Sequence, residues 1–130
     1  TEKFTIMDDC YNANPVSMKA SLDVLSTALG RTVAILGDMG ELGTSEKELH
    51  FGVGVHAAEK QIDLLLCAGT LSAEIAKGAT SVSPEMDVRL FETRDALMEQ
   101  LPQLLADGDS ILVKASHFMQ FDKIVKALEE

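Results

Sequence analysis

The stretch "TVAILGDMGELGTSEKELH", Thr32 to His50, decides the fold. Thr32-Val33-Ala34-Ile35-Leu36 is apolar after its threonine and shows no alternation with polar residues. That is the pattern of a strand covered on both faces, as in a parallel sheet. The next seven residues, Gly37-Asp38-Met39-Gly40-Glu41-Leu42-Gly43, hold three glycines and read as a tight loop. Thr44 or Ser45 then caps a helix expected to run to about Gln61, and Ser45 with Glu48 has the spacing of a capping box.

Outward from there the same unit repeats. Phe4-Thr5-Ile6-Met7 is a short strand, and Pro15 suits the first turn of a helix because its fixed φ fits and its missing N–H is no loss. Met18, Leu22, Leu25 and Leu29 recur at helical spacing until Gly30. Leu64-Leu65-Leu66-Cys67-Ala68 is a third strand closed by Gly69, and a short helix is expected from about Leu71 to Lys77. Asp87 to Phe91 is weaker and alternating, as a strand nearer an edge would be. Thr93 caps a helix through about Leu105 that Gly108 ends. Ser110 to Lys114 is the fifth strand, and a last helix spans about Phe118 to Leu128. Strands alternating with helices imply parallel pairing. The expected fold is α/β, one domain with an open, mainly parallel, Rossmann-like sheet and helices on both faces.

Charge and composition narrow the partners. Acids outnumber bases 21 to 11, so no basic face is expected for nucleic-acid phosphates. No apolar run approaches a membrane span, and no secretory signal is visible. Cys10 and Cys67 lie far apart without CxxC spacing, which reads as two reduced thiols in a cytosolic protein. They form no zinc pattern with His50, His56 and His117, and the first two histidines are six apart rather than four.

In such sheets the ligand crevice lies beyond the carboxyl ends of the strands. That rule selects Asp8 to Ser17, Gly37 to Gly43, Gly69-Thr70 and Lys114 to Met119. One of Asp8 and Asp9 is expected to face the crevice, where a carboxylate can accept from a ribose diol. Asn12 and Asn14 each carry a donor and an acceptor, and Pro15 opens a helix whose N–H groups favour anions. The glycines of the second loop allow close approach of a ligand or of another chain segment. Asp38 and Glu41 would repel a phosphate there unless a cation intervened. Lys114 either meets an anionic partner or snorkels to solvent. Three motifs are missing: GxxxxGK[ST], GxGxxG, and the third-strand aspartate of a phospho-acceptor receiver domain.

"DDCYNANPVSM", "AILGDMGELG" and "LVKASHFM" together carry a resemblance to the C-terminal domain of the Mur ligases, over essentially the whole chain. The YNANP turn and the GDM-ELG loop point to the member that adds D-alanyl-D-alanine to UDP-N-acetylmuramoyl-tripeptide. The resemblance implies a cytoplasmic, ATP-dependent amide ligase of peptidoglycan synthesis. A central ATPase domain would carry the P-loop and the Mg2+ site, so this chain reads as one excised domain, inactive alone and with no catalytic residue of its own. By the same resemblance Asp9 or Asp8 would hold the ribose, and Tyr11, Asn12 and Asn14 would face the nucleotide. Lys114 and Ser116 would place the incoming dipeptide. His117 stands where relatives commonly have arginine and receives no role. The alternative is a non-catalytic module of the same fold that binds a small molecule or a partner.

Overall fold

The computed structural model describes residues 4–9 and 13–129. Five strands, β1 (Thr5–Asp9), β2 (Thr32–Gly37), β3 (Leu64–Ala68), β4 (Asp87–Phe91) and β5 (Ser110–Lys114), form one parallel sheet in the order β1-β5-β2-β3-β4. The helices are α1 (Pro15–Ser26), α2 (Glu46–Glu59), α3 (Ser72–Val82), α4 (Arg94–Leu104) and α5 (Asp122–Glu129). The expected α/β architecture is the observed one, and β4 is an edge strand as its alternation suggested.

The connectivity explains the layers. The crossovers through α1, α2 and α3 all step the same way across the sheet, whereas α4 leads back to a strand inserted between β1 and β2. One handedness of crossover therefore puts α4 on the opposite face. Two cores result. Met18, Leu22 and Leu25 of α1 meet Ala34, Leu36, Leu65, Cys67 and Leu112 on one side. Phe121, Ile124 and Leu97 meet Val33, Ile35, Leu66 and Val113 on the other. Burying each large aliphatic side chain contributes about 2 kcal/mol. Among the described residues no helix is long and apolar enough to cross a membrane.

Local chemistry moved several boundaries. α1 ends at Ser26, where the hydroxyls of Ser26 and Thr27 donate to the carbonyls of Asp23 and Val24, each at 2.7 Å. Such side-chain bonds to nearby carbonyls compete with regular helix, and Leu29 falls beyond its end, 89% exposed. The Ser45–Glu48 capping box is not formed: Ser45 ends a 3-10 turn (Gly43–Ser45) with ψ of 12°, not the extended backbone a capping side chain needs. A capping box forms at α1 instead, where the Asn14 side chain accepts from the Ser17 amide and Ser17 Oγ accepts from the Asn14 amide. Thr93 caps α4 as expected, accepting from the Ala96 amide. The last helix is split, because Gln120 adopts φ of 53° after a 3-10 turn (His117–Met119).

α3 runs to Val82, well past Lys77. Gly78, an apparent stop, is a packing position: a Cβ there would lie 2.0 Å from the Phe51 carbonyl oxygen. Gly54 of α2 answers it, since its Cβ would lie 1.8 Å from the Ile75 carbonyl oxygen. The two helices touch backbone to backbone.

Candidate functional site

The register aligns the carboxyl ends of the strands into one rim. Asp9 pairs with Lys114, Lys114 with Leu36, Gly37 with Ala68 and Ala68 with Phe91. The rim segments selected from the sequence thus share one end of the sheet wherever they are described. Cys10, Tyr11 and Asn12 lie outside the described residues. Asp8 is exposed near the end of β1, the other edge strand. Asn14 is exposed, and its Oδ1 is committed to the cap of α1.

Lys114 does not snorkel. It is 1% exposed at the end of a strand flanked on both sides, among the largest fully buried side chains of the molecule. Burying an ammonium is unfavourable unless charge and hydrogen bonds compensate it, which makes this position a committed feature of the rim.

The loop after β2 is built from bonds that the sequence did not announce. Asp38 is buried, and its Oδ1 accepts from both the amide and the hydroxyl of Ser72, each at 2.8 Å. The carboxylate therefore anchors the first turn of α3, where helix N–H groups favour negative charge. Its charge, after the larger effect of burial, pushes the Cys67 thiol well above its ordinary range. The Met39 amide donates to His50 Nε2 at 2.9 Å, and the Gly40 amide donates to Ser116 Oγ at 2.7 Å. The Ser116 amide donates to the Asp38 carbonyl at 3.1 Å, closing the link between the loop and the end of β5.

Two of the loop's glycines are explained by close approach. A Cβ on Gly37 would lie 2.6 Å from Phe121 Cζ and 2.8 Å from Ala115 Cβ; one on Gly40 would lie 2.9 Å from Phe118 Cε1. All three atoms belong to the segment after β5, so these glycines let that segment pack onto the loop. Asp38 is thereby removed from the rim as a free acid, and Ser116 is half-buried against the loop.

A cavity of about 260 Å³ lined by Phe4, Leu101, Leu105 and Leu128 lies at the other end of the sheet, remote from these residues. Among the described residues no three His, Cys, Asp or Glu side chains converge to hold a metal ion.

A crossover sheet with a buried lysine and a strapped loop at its carboxyl rim belongs to a recognisable class. Residues 1–117 match the family described as "Mur ligase, glutamate ligase domain", and the chain belongs to the Mur ligase family as its C-terminal domain. Within that family two similar relatives share a name. The UDP-N-acetylmuramoyl-tripeptide–D-alanyl-D-alanine ligase of Bacillus subtilis is 35% identical over 97% of this chain. The ligase of that name from Escherichia coli is 36% identical over 99%. A crystal structure of MurF from Acinetobacter baumannii superposes on the whole chain with a TM-score of 0.85 at 29% identity. The chain spans 28% of the length of each of the two curated relatives and 29% of the A. baumannii chain.

Proposed function

We propose that this chain is the C-terminal domain of an ATP-dependent ligase that joins D-alanyl-D-alanine to UDP-N-acetylmuramoyl-tripeptide in peptidoglycan synthesis. The observation that carries the reading is the 35–36% identity over nearly the whole chain to two ligases of that name. In the reaction the tripeptide carboxylate takes the γ-phosphoryl group of ATP, releasing ADP and forming an acyl phosphate. The dipeptide amine attacks the acyl carbon. The tetrahedral intermediate then expels phosphate, the nitrogen loses its proton and the amide remains.

The chain's part is to close over the nucleotide and position the dipeptide. Lys114 supplies fixed positive charge for the dipeptide carboxylate or the developing phosphate. Ser116 supplies a hydroxyl beside it. Asp8 or Asp9 holds the ribose, and Tyr11, Asn12 and Asn14 face the nucleotide. Magnesium, held by ligands in the central domain, would neutralise the phosphates. That domain is the partner that completes the crevice.

The test is ligation by the full-length protein. Phosphate release should require ATP, the UDP-tripeptide and D-alanyl-D-alanine together. Lys114→Met, which keeps the length and apolar stem of the side chain, should lower kcat/KM by about a hundredfold, as expected for loss of a charge-assisted contact. An unchanged rate in a folded Lys114→Met protein would reduce the domain to a structural cap.

A further inference from the structure

His50 is fully buried on α2, behind the rim loop rather than at the crevice. Its two ring nitrogens have opposite duties, and the partners dictate them. Nε2 receives the Met39 amide at 2.9 Å, and a backbone N–H can only donate, so Nε2 carries no proton. Nδ1 lies 2.6 Å from the Glu46 carbonyl oxygen, which can only accept, so Nδ1 is protonated. The ring is therefore neutral and in one tautomer, tying the first turn of α2 to the loop.

The bond made at Met39 has a consequence one residue on. The Gly40 amide meets Ser116 Oγ at 2.7 Å, so that oxygen acts as an acceptor. The serine's own proton finds no acceptor among the described residues and remains to donate to whatever occupies the rim. We infer that His50 is a positioning residue: by fixing the Met39 amide it fixes the Gly40 amide, which orients the Ser116 hydroxyl as a donor toward the bound dipeptide. Only the dipeptide in this statement rests on the ligase reading; the latch itself rests on geometry.

The experiment has two arms. In the chain itself, long-range nitrogen–proton NMR should show the Nδ1–H tautomer of His50, and the Met39 amide should exchange slowly with solvent. His50→Leu, which fills the site without an acceptor, should speed that exchange by about tenfold or more. His50→Gln, which carries an oxygen to about the place of Nε2, should restore protection. The Nε2–H tautomer, or a Met39 amide indifferent to both substitutions, overturns the latch.

In the full-length ligase, His50→Leu should raise KM for the dipeptide about tenfold, the scale of one hydrogen bond, and leave KM for ATP and for the UDP-tripeptide within about twofold. In a Ser116→Ala background His50→Leu should add nothing. Equal losses on all three substrates, or additive losses, overturn positioning through Ser116. If His50→Leu fails to fold, the wild-type tautomer and the His50→Gln protein still decide the matter. A full-length protein that never ligates the dipeptide defeats the ligase reading and leaves the NMR arm standing.

Discussion

Gly69 and Asp38 show how much one rim residue can rest on another. Gly69 has φ of +121°, and a Cβ there would come within 2.5 Å of the Asp38 carboxylate. Gly69→Ala thus combines an unfavourable backbone with displacement of the group that anchors α3 through Ser72. The expected loss is about 3 kcal/mol in urea unfolding, from strain plus disrupted buried bonds. A loss under about 1 kcal/mol would mean that Asp38 moves aside freely. Beneath Asp38 sits Cys67, buried, its thiol held above the ordinary value of 9.0 first by burial and then by that carboxylate. Only the thiolate reacts, so Cys67 should resist alkylation at about pH 8 until the chain unfolds, as mass mapping of the labelled residue would reveal. The raised thiol also sets a sign. Unfolding lets the proton leave more easily, so this contribution to stability is full below the unfolded value and is lost as pH rises above it. Cys67→Ala should lack that alkaline decline. A decline of equal size in both proteins would assign it to other groups.

Among the elements, α2 and α3 have the tightest union. Gly54 and Gly78 bring backbone against backbone with no room for a methyl group, so Gly78→Ala must push the helices apart. Overpacking of this kind costs about 3 kcal/mol even though alanine is the better helix former, and a Tm lower by several degrees would register it. A rise in Tm would show that the helices yield without loss. α1 is tied to α2 more softly. Asp23 lies 2.6 Å from His56 and 3.5 Å from Lys60, and the bond to His56, followed by the two positive charges, lowers the Asp23 carboxyl below its usual range. Its contribution is present above the unfolded carboxylate value and disappears as pH falls through the lowered one. Asp23→Asn should therefore melt slightly lower than wild type near neutrality and equally in strong acid. The elements also show where sequence reading stops. β2, β3 and β5 were legible because strands covered on both faces need unbroken apolar runs, and β4 because an edge strand leaves polar residues outward. The rim was legible because parallel crossovers put every βα turn at one end. The end of α3 was not, since glycine reads as a breaker whether it stops a helix or admits another. His50 was not, since a ring buried for its hydrogen bonds has no spacing rule, and a search for metal ligands passes over it. Lys114 was legible as a rim residue, but its burial depends on strand order, which places β5 inside the sheet.

For the whole molecule, the proposed function makes the rim one wall of a crevice. Strand order sets Lys114 between β1 and β2, and the loop at Asp38 to Gly40 is strapped to the segment after β5, so this wall is assembled from parts distant in sequence. What its described residues lack is a grip on a triphosphate. No GxxxxGK[ST] sequence occurs, and the buried Lys114 is one positive charge set against the ten net negative charges of the chain. The 130-residue chain should therefore fold by itself and gain almost nothing from nucleotide. A ligand at ten times its Kd stabilises a folded protein by about 1.4 kcal/mol, which for a domain of this size raises Tm by about 4 °C. Magnesium–ATP at millimolar concentration should shift the chain alone by less than about 1 °C, whereas the full-length ligase should rise by several degrees. A full-sized shift in the isolated chain would mean that the rim is a complete nucleotide site, and the neighbouring domain would no longer be needed to explain binding.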